Sequence, residues 1–274
     1  MWPKPTVLTK ATLADSTLSN VAIPHRLHVA PVGFEVDRVV EPIIRMEGEK
    51  AILLAQLSDR DQGRRFLDQV VARLKKKGIE SQVIRRDIYD LYSCSRELVE
   101  VFRSHRADKV FVNTSSGSKV QSIACVLSAM MVQSEGIDVS LYYAIPDEYT
   151  STLPRPISRG CKEVIPLPRL SLQVPPPEII AAMTILRTGP RSKADLAIEL
   201  AKGGVLDRSR LSSEGRPVDE AARVSLQTAV DVRVVRKLEE SRYATVKRKG
   251  RVTLVSLTPL GQSTAELFSS PKQG

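Results

Sequence analysis

The chain has 274 residues, 42% of them hydrophobic, with a formal net charge of +10 and a pI near 9.6. That length favours two domains over one and can bury a core in each. No apolar run approaches the roughly 20 residues of a membrane-spanning helix, and the Thr-, Ser-, Pro- and Ala-rich stretch Met1–Pro24 lacks a secretory apolar segment; a disordered leader, a cytoplasmic location and no membrane partner are expected.

From Arg26 onward, apolar runs alternate with helical patterns. Leu27–Gly33 reads as a strand ending in a turn, and Glu35–Arg45 as a short helix disturbed by Pro42. Ala51–Leu57 is a buried strand. A helix beginning at Asp59 repeats Phe66, Val70 and Leu74 every four residues and closes on Lys75-Lys76-Lys77-Gly78, a solvated cationic end with a glycine stop. Strands at Ile79–Arg85, Lys109–Asn113 and Ile137–Ile145 alternate with helices at Leu91–Ser104 and Val120–Gln133. Such alternation with short joints predicts an α/β fold: an open, mostly parallel sheet covered on both faces.

Tyr149–Pro177 is rich in Pro, Ser and Arg, holds one weak strand at Val164–Leu167, and ends in Pro175-Pro176-Pro177, a stiff hinge. We place the domain boundary there, giving a leader at residues 1–24, a first domain with its connector at 25–174 and a second domain at 175–274. Helices follow at Glu178–Arg187 and at Ser192–Lys202, with Ser192 as N-cap. Gly203–Pro217 is polar and basic and is expected to be mobile. Val218–Ser241 is a long helix with Ala222, Leu226, Val230, Val234 and Leu238 on one face. Tyr243–Leu257 reads as a hairpin tipped by Lys247, Arg248, Lys249, Gly250 and Arg251, and Thr258-Pro259-Leu260-Gly261 opens a last helix.

Two constellations carry chemistry. The first is Val110–Lys119, an apolar β-branched run that breaks into Asn113-Thr114-Ser115-Ser116-Gly117-Ser118-Lys119 before a small-residue helix. A strand feeding a helix N-terminus through such a loop presents backbone N–H groups, hydroxyls and a cation to one point, a place for an anion, most often a phosphate. Walker A and dinucleotide glycine fingerprints are both missing from the sequence. No His or acid adjoins the loop to activate a serine. The loop Pro31–Glu35 after the first strand is its companion, since ligands on open α/β sheets bind at strand carboxyl ends. The three cysteines, Cys94, Cys125 and Cys161, are widely spaced and only three histidines occur, so neither a metal nor a disulfide framework is expected.

The second constellation is C-terminal. Residues 175–274 hold 17 Lys/Arg and 11 Asp/Glu, a net +6. Three helices and a basic-tipped hairpin is the order of a winged helix-turn-helix, and Leu238–Tyr243, Lys247–Arg251 and Leu257–Gly261 resemble the wing region of MarR-type regulators. A double-stranded DNA partner follows, with Arg223, Ser225, Gln227, Thr228 and Arg233 as groove candidates and Lys247, Arg248, Lys249 and Arg251 as phosphate contacts.

Taken together, Arg26–Arg38 and Asn113–Lys119 resemble the two signatures of the archaeal CRISPR-associated Rossmann-fold (CARF) regulators, with the winged domain following as in that branch. The resemblance spans Arg26–Leu267. It implies a Rossmann-like sensor that dimerises and holds a cyclic oligoadenylate, cyclic tetra-adenylate favoured, at the two-fold, with no other cofactor. Ligand contacts would come from Val32, Gly33, Phe34, Thr114, Ser115, Ser116, Gly117, Ser118 and Lys119, with Tyr142, Tyr143 or Tyr149 stacking on adenine. Many relatives carry Gly-Gly in the second loop, where this chain has Ser116-Gly117. Two alternatives remain open: a metal-independent ring nuclease using Ser118 and Lys119, and a Rossmann-like domain that only dimerises.

Overall fold

The computed structural model describes residues 24–58, 62–87, 89–150, 156–170, 172–250 and 252–268. Strand β1 (Arg26–Pro31) leads to helix α1 (Asp37–Arg45), β2 (Lys50–Gln56) to α2 (Arg64–Lys76), and β3 (Glu80–Arg86) to α3 (Leu91–Ser104). β4 (Lys109–Asn113), α4 (Lys119–Gln133) and β5 (Val139–Ile145) follow. β1 to β5 pair in parallel in the order β3-β2-β1-β4-β5, as the alternation predicts. Strand periodicity sorts the side chains. Leu27, Val29, Val110 and Val112 pack under α3 and α4, while Ala30, Ala51 and Leu53 pack under α1 and α2.

Several expectations need correction. Pro42 lies inside α1 and the helix runs on past it. A proline offers no N–H to the carbonyl four residues back, here that of Arg38. The Asn113 side chain, at the end of β4, donates to that carbonyl at 2.8 Å and fills the vacancy. Helix α1 starts at Asp37 rather than Glu35, because Glu35 is drawn into a buried ion pair. The described helix α2 starts at Arg64, later than expected, and Asp59 lies outside the described residues.

Among the described residues, the connector region holds three short strands, not one. β6 (Glu148–Tyr149) and β7 (Ser158–Arg159) form a small antiparallel ladder, and β8 (Glu163–Pro166) closes the main sheet antiparallel to β5. Two-residue strands have too little periodicity to be read from sequence.

The second unit comprises α5 (Pro177–Leu186), β9 (Arg191–Ser192), α6 (Lys193–Lys202), α7 (Glu220–Val230), α8 (Arg236–Glu240), β10 (Ala244–Lys249), β11 (Val252–Leu257) and α9 (Pro259–Phe268). Its sheet runs β10-β11-β9, and Leu186, Leu196, Leu226, Val234, Leu238 and Val255 share its core. Ser192 caps α6 by accepting from the Asp195 N–H, as expected. Within Gly203–Pro217, a 3-10 turn at Arg208–Arg210 and a bridge between Leu211 and Pro217 give the segment local structure.

Between α7 and α8, residues Asp231–Val235 form a π turn. Ala222, Leu226, Val230, Val234 and Leu238 are all at most 3% exposed. A strict four-residue repeat drifts about 40° per step around an α-helix. The wider π turn rotates less per residue and brings the repeat back onto the core face.

Among the described residues, no helix is long and apolar enough to cross a membrane. Helix α9 reaches back to the first domain: Leu267 and Phe268 pack against the core under α3, and Arg96 donates to the Glu266 carbonyl at 3.1 Å.

Candidate functional site

Strands β1 and β4 are neighbours, yet the chain leaves β1 toward β2 and β3 on one side and leaves β4 toward β5 on the other. The connections therefore part there, and the carboxyl ends of the two strands form the switch point at which open α/β sheets take their ligands. Loops 32–36 and 114–118 meet there. They approach so closely that a Cβ on Gly33 would lie 3.0 Å from the Gly117 Cα. Gly117 has φ +83°, and a Cβ there would meet the Pro31 Cβ at 2.5 Å. Only glycine suits that position, on conformation and on space.

The hydroxyls expected to reach a ligand largely build the loops. Ser116 is buried and its Oγ accepts from the Gly33 N–H at 3.3 Å, joining the two loops. That bond gives a physical reason for serine where glycine was anticipated. Ser115 Oγ accepts from the Ala144 N–H at 2.5 Å, and Thr114 donates to the Tyr142 carbonyl at 3.0 Å. Ser118 caps α4 reciprocally: its Oγ accepts from the Gln121 N–H at 3.1 Å, and Gln121 Oε1 accepts from the Ser118 N–H at 2.9 Å. This capping box leaves the first-turn N–H groups of Lys119 and Val120 directed out of the helix end. Lys119 is exposed beside them, Phe34 is half-buried with its ring edge-on to Phe66, and Val32 is buried with its N–H given to Leu54.

Beside these loops lies a polar cluster that sequence reasoning missed. Arg38 is 3% exposed and pairs with Glu35 at 2.5 Å, while its Nε donates to the Ala144 carbonyl at 2.7 Å. Ser158 donates to the same Glu35 oxygen at 2.9 Å. The guanidinium lies 5.0 Å from the Tyr143 ring centroid and 5.9 Å from that of Tyr149. Burial opposes the Arg38 charge, but the Glu35 carboxylate more than offsets it, holding its pKa above the ordinary value. The available signal was an acid and a base three residues apart at a helix start. Tyr149 is exposed and Tyr143 half-buried, whereas Tyr142 is only 2% exposed and is removed from the stacking candidates.

Tyr142 instead belongs to a buried row with His28, whose ring stacks on Phe111 at 5.1 Å and whose Nδ1 lies 3.3 Å from the Tyr142 hydroxyl. Burial, helped by Arg26, pushes the His28 pKa down to about 3, so the ring is neutral. Its Nε2 has no hydrogen-bond partner.

In the second unit the wing candidates Lys247, Arg248 and Lys249 are all exposed on β10, and Gly250 turns the hairpin with φ +61°. Arg251 lies outside the described residues. On the long helix, Thr228 and Arg233 are exposed and Ser225 and Gln227 half-exposed. Arg223 is exposed but bound at Nε and Nη2 by Glu220, the Nε contact at 2.7 Å. Gly261 admits no side chain, since a Cβ would lie 1.9 Å from the Tyr243 carbonyl oxygen. Helix, short strand, helix, long helix, and a basic hairpin paired to the short strand make one arrangement. The C-terminal unit is a winged helix domain.

Residues 180–269 match the DUF6293 C-terminal winged helix domain family, and residues 26–149 match the family described as HFX_2341_N-like, N-terminal. The uncharacterized protein MJ1513 of Methanocaldococcus jannaschii is 27% identical over 128 residues, 44% of this chain and 38% of that protein. Among solved structures, Enterococcus italicus Csm6 bound to cyclic hexa-2'-fluoro-hexa-dAMP overlaps at a TM-score of 0.41 and 11% identity, covering 81% of this chain and 57% of that one. Can2 from Sulfobacillus thermosulfidooxidans in complex with cyclic tetra-adenylate overlaps at 0.38 and 12% identity, covering 84% and 74%. Protein VC1899 from Vibrio cholerae overlaps at 0.35 and 13% identity, covering 88% and 64%. These are loose overlaps.

Proposed function

We propose that this protein is a ligand-responsive transcriptional regulator: the first domain pairs with a second copy and senses a cyclic oligoadenylate, and the winged helix domain binds DNA. The observation that carries the sensor half is the switch point where the connections of β1 and β4 part, with loops 32–36 and 114–118 meeting over the strand ends. The surface there is backbone, brought together where Gly33 and Gly117 leave out side chains, with the start of α4 and exposed Lys119 beside it. Such a surface suits repeated phosphates, because amides and a helix N-terminus offer donors without the bulk of side chains. Cyclic tetra-adenylate is the favoured effector. The two-fold would bring a second pair of loops to complete the ring's binding surface.

Coupling requires the ligand to prefer one arrangement of the dimer, and the connector and α9 both link the units. The test is duplex-DNA affinity with and without saturating cyclic tri-, tetra- and hexa-adenylate, alongside calorimetry of each ring. A shift with one ring supports the sensor; calorimetric silence and unchanged DNA affinity with all three overturn it. In the ring-nuclease alternative a ribose 2′-hydroxyl would attack its neighbouring phosphate with Ser118 and Lys119 assisting, and linear products on incubation with the rings would favour it.

A further inference from the structure

The winged domain exposes an unusual crest on its long helix. With Ala222, Leu226 and Val230 in the core, the opposite face of α7 centres on Val224 and Thr228. The π turn carries Val232 onto that same side. Val224 is 51% exposed and Val232 52% exposed, a large apolar exposure for a solvated helix. Thr228 commits its hydroxyl proton to the Val224 carbonyl at 3.0 Å, so it keeps no free donor and its exposed side chain also offers a methyl group. The crest thus offers methyl groups, while the nearby guanidinium of Arg223 is held by Glu220.

The same domain exposes cations. Arg233 and Arg236 are exposed on the same helix, and Lys247, Arg248 and Lys249 are exposed on the hairpin. An apolar helix crest on a domain that also exposes cations matches a DNA major groove, whose rims are phosphates and whose floor carries the C5-methyl of each thymine. We propose that Val224, Thr228 and Val232 read thymine methyls, so that the half-site of this protein is defined by T positions through apolar contact rather than through bidentate hydrogen bonds. This deepens the DNA-binding reading above and rests on it. Charge complementarity favours DNA as occupant over a second copy of the same basic surface.

The experiment has two stages. The full chain first selects binding duplexes from a randomised pool, and affinities for the selected duplex are then measured with individual dT positions replaced by dU, which removes only the methyl. Expected are selected half-sites with at least two such positions, each dU costing about four-fold in affinity, the worth of roughly one buried methyl. In V224A the loss from dU at the matching position should vanish, and V232A should do the same at a different position. Both are exposed Val→Ala changes on a helix, which folding tolerates. Equal affinity for dT and dU duplexes overturns the proposal, as does V224A retaining the full dU penalty. Failure to select any duplex sinks the DNA-binding reading itself. A shift from dimer to monomer in V224D/V232D with DNA binding intact would assign the crest to a second copy instead.

Discussion

At the scale of single residues, two side-chain environments dictate measurable behaviour. Gly261 sits where any Cβ would overlap the Tyr243 carbonyl oxygen at 1.9 Å. Gly261→Ala must push α9 off the hairpin, and a loss of roughly 1–3 kcal/mol in chemical unfolding is expected. His28 is neutral in the fold with a pKa of about 3, against an ordinary 6.5. Between those values the unfolded chain binds the extra proton, so stability falls as pH drops below 6.5, by about 1.4 kcal/mol per pH unit from this group. His28→Leu should flatten that part of the pH profile, measured as the difference in Tm between wild type and variant from pH 7 to pH 4. Equal slopes would show that the imidazole is not held neutral. Gly261 could be found from sequence through its place in Thr258-Pro259-Leu260-Gly261. His28 could not, because a lone histidine in a strand has no period that tells its face from its neighbours'.

At the scale of elements, the α1 joint shows why local rules mislead when a distant residue intervenes. Pro42 was legible as a helix disturbance, but the Asn113 amide that repairs it comes from another strand. Asn113→Ala should cost on the order of 1–3 kcal/mol by orphaning the Arg38 carbonyl. Pro42→Ala supplies a competing N–H to the same carbonyl, so Asn113→Ala should cost less in that background; a purely additive double-mutant cycle would refute the repair. β1, β2 and β4 were readable from their apolar runs, and α3 and β4 match their expected bounds. The Glu35–Arg38–Ser158 cluster was not readable, since Ser158 lies 123 residues from Glu35. The π turn was written in the sequence all along: a repeat of four, kept from Ala222 to Leu238, cannot stay on one face of an ordinary α-helix.

For the whole molecule, charge placement sets how DNA binding should respond to salt. If the wing lies along phosphates, replacing Lys247, Arg248 and Lys249 together by alanine should lower the slope of log affinity against log salt by about 3, with little change in which sequence is preferred. An unchanged slope would move the wing off the backbone. The two-unit plan was legible from the change in pattern beyond the three prolines, but the route by which the units meet again was not. That route is α9, whose Leu267 and Phe268 sit against the first domain's core and whose Glu266 carbonyl accepts from Arg96. A winged unit moved onto a different sensor would carry those apolar residues with no seat to receive them. The pair of domains is therefore poorly suited to exchange by recombination, and substitutions under α3 and at the end of α9 are expected to travel together through the descent of this chain.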